Sequence, residues 1–238
     1  MKTAILSDFH GNATALSGVL KEIRKEGLTK IFITGDFIGY YYQPDKIFKL
    51  LRSWEWEGVI GNHDAILRDF ISGKNNQMDT YRTSYGRALD VAIKKLSKKD
   101  KQLLISLPER REITIDGKKI LLCHGSPWRN DEYLYHDSPA EIFEKIASLG
   151  YDFVILGHTH HPLLKKVGRC IIVNPGSVGQ PRDEGSNSSW AVADFATGVV
   201  DFRRTRFDPS KVIKEAEMYD PGLNYLKEVL TRKKIYYA

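Results

Sequence analysis

Short apolar runs rich in Ile, Val and Leu recur along the chain. They are TAILS (3–7), KIFITG (30–35), GVIG (58–61), KILLCHG (119–125), FVILG (153–157) and RCIIVN (169–174). Runs that stay apolar without alternating suit strands buried on both faces. Between the first two, Leu16, Val19, Leu20 and Ile23 recur at helical spacing. That predicts a helix over 12–26, capped by Asn12 and ended by Gly27. Pro44 opens a second helix over 44–53. Strands alternating with helices predict an α/β fold.

The pattern changes over 65–107. Tyr85, Leu89, Ala92, Ile93 and Leu96 mark one helical stripe, and Ser97 caps a short helix that stops before Pro108. This reads as a helical excursion from the sheet. EITIDGKKILL then places Asp116-Gly117 between alternating residues, a hairpin signal. A helix follows over 139–149. After 160, LLKKVGRCIIVN and WAVADFATGVVDFRR each read as two strands joined at a glycine turn, Gly168 and Gly198. The last thirty or so residues read as one or two helices with a basic end. No repeat or low-complexity linker interrupts residues 1–238, so a single domain is expected.

Composition narrows the function. Of 238 residues, 42% are apolar and 28% charged, and the net charge of +6 is spread among alternating acids and bases. No nucleic-acid partner is therefore expected; a nuclease would have to show salt-sensitive binding. Two cysteines, Cys123 and Cys170, are too few for a disulfide framework and sit at no metal-site spacing. Cys123 precedes His124 in a strand, so it should face the opposite side as a small core residue. The start, MKTAILSDFHGN, lacks a leader-like apolar region, and no run is long enough to span a membrane. A soluble cytoplasmic protein is expected, and the oligomeric state is left open, a homo-oligomer included.

Each apolar run ends on polar chemistry. The ends are Asp8-Phe9-His10, Gly35-Asp36, Gly61-Asn62-His63-Asp64, His124-Gly125 and Gly157-His158-Thr159-His160. The carboxyl ends of α/β strands form one rim, where ligands bind. Five of the seven histidines lie in this set. Residues i and i+2 of an extended segment point the same way. Asp8 and His10 can thus grip one ion, and His158 and His160 two neighbouring ions. His161 is out of phase and is left out. Asp8, His10, Asp36, Asn62, His124, His158 and His160 are more side chains than one ion takes. Two ions sharing Asp36 would each have four protein ligands and room for a bridging solvent. Imidazole, carboxylate and amide favour manganese, iron, zinc, nickel or cobalt, with manganese first, over magnesium or calcium. Two divalent ions outweigh Asp8 and Asp36, so the pocket suits an anion such as a phosphate ester.

Taken in order, DFHGN, GDFIG, GNHD, HG and GHTH resemble the motif series of the calcineurin-like metallophosphoesterase superfamily. NPGSVGQPRD (174–183) resembles the tail of its small archaeal and bacterial phosphodiesterase branch. The resemblance implies a four-layer αββα sandwich with two central mixed sheets. It implies one ion on Asp8, His10, Asp36 and His160, and another on Asp36, Asn62, His124 and His158. It also implies His63 as the group assisting the leaving oxygen, with Asp64 orienting it. The implied activity is metal-dependent hydrolysis of a small phosphate ester, nucleotides among the candidates, by a hydroxide bridging two ions. A phosphodiesterase comes first. A dinucleoside polyphosphate hydrolase, a phosphomonoesterase and a protein phosphatase are the alternatives. A non-catalytic scaffold is the competing class, but here every ligand type is intact.

Several residues keep two readings. Asp64 orients His63 or caps a helix. Arg182 contacts substrate phosphate or pairs with Asp183. Tyr40, Tyr41 and Tyr42 stack on a nucleobase or, as we prefer, pack at a helix start. Asn174 ends a strand and could support the site from behind. Trp128 and His136 lie in a loop the sequence does not place.

Overall fold

The computed structural model describes residues 2–74 and 78–233. β1 (Lys2–Leu6), α1 (Ala13–Lys25), β2 (Lys30–Ile33), α2 (Pro44–Leu51) and β3 (Glu55–Gly58) alternate as the apolar runs predict. The excursion then resolves into α3 (Asn62–Ile71), α4 (Met78–Tyr85), α5 (Ala88–Lys95) and α6 (Lys98–Ile105). β4 (Arg110–Ile115) and β5 (Lys118–Cys123) form the expected hairpin, with Asp116 and Gly117 both left-handed at φ 52° and 73°. α7 (Ala140–Ala147), β6 (Phe153–Ile155), β7 (Pro162–Val167) and β8 (Cys170–Pro175) follow. β9 (Asn187–Asp194), β10 (Val199–Arg206), α8 (Ser210–Tyr219) and α9 (Tyr225–Thr231) complete the order. Part of the expected basic end, 234–238, lies outside the described residues.

The strands form two mixed five-stranded sheets, ordered β10-β9-β1-β2-β3 and β4-β5-β6-β8-β7. Alternation along single strands shows how they stack. Ala4 and Leu6 of β1 pack with Leu16, Val19 and Ile23 of α1 and with Ile47 and Phe48 of α2. Ile5, between them, joins Ile120, Leu122, Phe153 and Ile155 of the other sheet. On that sheet's far face, Leu121, Cys123 and Val154 meet Phe143 and Ile146 of α7. The layers therefore run α, β, β, α, and Cys123 is a buried core residue facing away from the inter-sheet layer. Each fully buried Ile or Leu contributes about 1.5–3 kcal/mol.

Local signals explain the helix ends. Asn12 Oδ1 accepts from Ala15 N at 3.1 Å, and Gly27 leaves α1 at φ 70°. Ser97 Oγ accepts from Asp100 N at 3.1 Å.

The third strand departs from expectation. It covers Glu55–Gly58, not 58–61, because it is the edge of its sheet and half exposed. An edge strand carries no continuous apolar run; the apolar Val59 and Ile60 come after it, held by Ile33 O and Pro108 O. Asn62, His63 and Asp64 then form the first turn of α3 rather than a strand end. Among the described residues, no helix is long and apolar enough to cross a membrane.

Candidate metal centre

The segments leaving β1, β2, β5 and β6 meet between the sheets. Among the described residues, seven non-glycine residues have left-handed backbone, and five of them are Asp8, His10, Asp36, His158 and His160. Such backbone costs about 1–3 kcal/mol per residue and persists where surrounding contacts enforce it. Here the enforcing bonds run between segments: Asp8 N to Gly35 O at 3.0 Å and His10 N to Asp36 O at 2.9 Å. The convergence of Asp8 with His10, and of His158 with His160, thus comes from tight left-handed turns. The extended i, i+2 geometry inferred from the sequence is not what brings them together.

Three groups of side chains could each hold an ion: Asp8, His10 and His160; His10, Asp36 and His63; Asp36, His124 and His158. Asp36 Oδ2 stands between the outer two, 3.6 Å from His10 Nε2 and 3.2 Å from His124 Nε2. Asp8 Oδ1 is 3.4 Å from His160 Nε2. Asn62 Oδ1 is 3.0 Å from His124 Nε2. All seven predicted ligand side chains therefore lie in one cluster, and His63 lies beside it.

The donor chemistry fits a metal. His10 Nδ1 meets Ile38 O at 3.3 Å, His160 Nδ1 meets Gln180 O at 2.7 Å, and His124 Nδ1 meets Thr34 O at 2.6 Å. A ring nitrogen facing a carbonyl carries the hydrogen, so each ring, in the neutral form that binds a metal, turns a lone pair at Nε2 inward. His10 Nε2 and His160 Nε2 lie 2.8 Å apart. At that distance the two nitrogens are joined either by a shared proton or by a metal ion that both ligate. Asp8 Oδ1, Asp36 Oδ2 and His158 Nε2 are also buried without a hydrogen-bond partner. Unpaired buried polar atoms are costly, and an ion would satisfy all three.

The charges agree. Burial opposes ionisation of Asp36, yet His124, His63 and His10 hold its carboxyl well below the usual range. Burial would lower His124, but Asp36, Asp8 and the Thr34 carbonyl raise it to about 9. Burial, with His124 adding to it, brings His158 down to about 4. Burial, with Arg182 next, pushes His160 well below the ordinary imidazole range.

Around the ligands the structure corrects and extends the sequence reading. His63 Nδ1 meets the Tyr81 hydroxyl at 3.0 Å, and its backbone N donates to Asp36 Oδ1 at 3.0 Å. Asp64 does not hold that ring. Its carboxylate accepts from the backbone of Phe37, Ile38 and Gly61 at 3.0–3.2 Å. It lies in the first turn of α3, where carboxylates favour free amides over a neighbouring ring. Tyr85 packs against His63 with ring centres 4.8 Å apart, and Tyr133 against His158 at 4.1 Å. The sequence reading missed Tyr81, Tyr85 and Tyr133. Tyr81 and Tyr85 share a helix face at i, i+4, a visible signal without an address. Tyr133 sits in a loop with no periodicity.

The open readings now divide. Tyr41 and Tyr42 are buried and pack toward α8 and α9. Tyr40 faces the centre, 4.7 Å from His10 and 5.0 Å from His63 between ring centres. Asp183 pairs with Arg204, not Arg182. Asn174 Nδ2 donates to Gly157 O at 2.6 Å and Thr159 Oγ1 at 3.1 Å, fixing the turn that carries His158 and His160. Trp128 is exposed under Lys145, and His136 lines a cavity with His161 outside the cluster.

Known proteins share this arrangement of chain. An uncharacterised protein of Methanocaldococcus jannaschii is 33% identical over 230 residues, covering 89% of this chain and 90% of that one. A phosphodiesterase of the same archaeon is 22% identical over 182 residues, covering 74% of this chain and 83% of that one. A solved metallophosphoesterase from Sphaerobacter thermophilus superposes with a TM-score of 0.77 at 28% identity, covering 97% and 98% of the two chains. The model of the calcineurin-like phosphoesterase superfamily domain matches residues 1–198, which span every strand end described above. The two sheets, the strand-end cluster and that match agree: the chain belongs to the calcineurin-like phosphoesterase superfamily.

Proposed function

We propose that this chain is a metal-dependent phosphodiesterase acting on a small phosphate ester at the cluster between the sheets. The observation that carries the reading is the convergence of three buried groups able to hold an ion, with Asp8 Oδ1, Asp36 Oδ2 and His158 Nε2 left without hydrogen-bond partners. Asp8, His10, Asp36 and His160 would hold one divalent ion, and Asp36, Asn62, His124 and His158 the other. The donor set suits manganese, iron, zinc, nickel or cobalt, and manganese is our first choice. Ions bound there supply positive charge for the phosphoryl oxygens and acidify water. A related phosphodiesterase and a related metallophosphoesterase support the same reaction class.

His63 serves the leaving side. Burial, with the charge of Asp36, keeps the Tyr81 hydroxyl protonated, so it donates to His63 Nδ1. The ring hydrogen then sits on Nε2, which donates to the oxygen leaving phosphorus. One water is consumed: its oxygen joins phosphorus, and a hydrogen ends on the released alcohol.

The test is metal content followed by turnover. Manganese-loaded protein should carry about two ions and release nitrophenol faster from bis-p-nitrophenyl phosphate than from p-nitrophenyl phosphate. Asp36→Asn should lose both ions and at least about a hundredfold in turnover. A faster monoester reaction would make the protein a phosphomonoesterase. Bound metal with neither ester cleaved would make it a scaffold.

A further inference from the structure

Arg182 is a cation without an anion. The acids that follow it are already neutralised: Asp183 by Arg204, and Glu184 by Arg206 at 3.1 Å. No carboxylate among the described residues pairs with the Arg182 guanidinium. Its Nη2 meets the Tyr40 hydroxyl at 3.4 Å, and its Nε is buried with no partner at all. Arg232 Nη1 donates to the Arg182 carbonyl at 2.9 Å, which fixes the backbone from behind. A half-buried guanidinium with an orphaned donor is costly unless an anion completes it.

Its position says which anion. The Tyr40 ring packs on His10 and His63, while its hydroxyl end meets Arg182. The guanidinium is therefore one phenol ring removed from the metal ligands. Tyr225 flanks Tyr40, ring centres 6.2 Å apart, and is partly exposed, as is Tyr133 over His158. Solvent-exposed tyrosine rings thus lie beside both Tyr40 and His158. We propose that Arg182 anchors a second phosphoryl subsite, so that the substrate carries another phosphoryl group next to the one attacked. This rests on the phosphodiesterase reading only for which group reacts. Arg182 is the residue of choice for such a group because its planar fork matches phosphate oxygens in pairs.

The experiment is equilibrium binding by calorimetry in a fixed excess of manganese. The probes are AMP and the α,β-methylene analogue of ADP, whose P–C–P bridge resists hydrolysis. Wild-type protein should bind the diphosphate analogue at least about tenfold more tightly than AMP, the scale of a charge-assisted hydrogen bond. Arg182→Met should shrink that gap to within about twofold, and Arg182→Lys should keep an intermediate gap. Equal binding of the two probes to wild-type protein overturns the proposal, even if Arg182→Met fails to fold. So does a gap that survives in Arg182→Met, or one in which both probes weaken alike. No turnover is needed, so a protein that cleaves no ester still reports on the subsite.

Discussion

Removing the Tyr81 hydroxyl should loosen His63 without touching a metal ligand. Tyr81→Phe keeps the buried ring and deletes one hydrogen bond to Nδ1. Losses on the order of tenfold in kcat are expected, as for other groups that orient an active-site imidazole, with ion content unchanged. Asp64→Asn should behave differently. It replaces one of the two oxygens that accept three backbone N–H groups with an amide that can only donate, so it should cost about 2–4 kcal/mol of stability. Melting curves and steady-state rates separate the two variants; Tyr81→Phe at wild-type rate would end the role given to Tyr81. His124 makes a separate prediction. In metal-free protein its imidazole is raised to about 9, so it is protonated at neutral pH. His158 and His160 are held low and already neutral. An ion binding through His124 must therefore displace one proton, and apparent affinity should rise about tenfold per pH unit between 7 and 8.5. A manganese titration with the same midpoint at both pH values would refute this.

At the level of elements, some of the site is written in the sequence and some is not. The strands that continue the inter-sheet layer are legible because burial on both faces requires unbroken apolar runs, as in Ala4-Ile5-Leu6 and Phe153-Val154-Ile155. The polar residues that follow them are legible for the same reason, since nothing else interrupts such runs. β3 begins three residues before the apolar run at 58–61 because an edge strand need not be apolar throughout. The left-handed turns at Asp8, His10, Asp36, His158 and His160 leave no mark, because aspartate and histidine, though enriched in that conformation, adopt it at only a small share of their positions. Tyr81 reaches His63 from α4, and no local pattern links two helices. Gly61 shows how tightly these elements are set. A Cβ there would overlap Asp36 Oδ1 and crowd the Asp36 backbone N. Gly61→Ala should leave α3 helical, since Gly61 is the N-cap, outside the helical turns, and its extended backbone at φ −88° admits alanine. It should still weaken manganese binding by about a hundredfold by displacing the shared carboxylate. Metal titration alongside circular dichroism checks both halves; unchanged affinity would mean the Asp36 segment moves freely.

For the whole molecule, the centre joins two separately built halves. Asp8, Asp36 and Asn62 come from segments after β1, β2 and β3 of one sheet. His124, His158 and His160 come from segments after β5 and β6 of the other. Without ions, the junction keeps Asp8 Oδ1, Asp36 Oδ2 and His158 Nε2 buried with no hydrogen-bond partner. Ions would complete those atoms with bonds that tie sheet to sheet. A ligand that binds only the folded state, at a thousandfold excess over its Kd, contributes about 4 kcal/mol. At about 2–4 °C per kcal/mol for a chain of this size, stripping the ions with EDTA should lower Tm by about 10 °C. Restoring manganese should restore it. Asp36→Asn serves as the control, because without the shared carboxylate its Tm should hardly respond to either reagent. If wild-type protein melts at one temperature with EDTA and with manganese, the sheets are held by their apolar layer alone. The strained turns at the junction would then need another explanation.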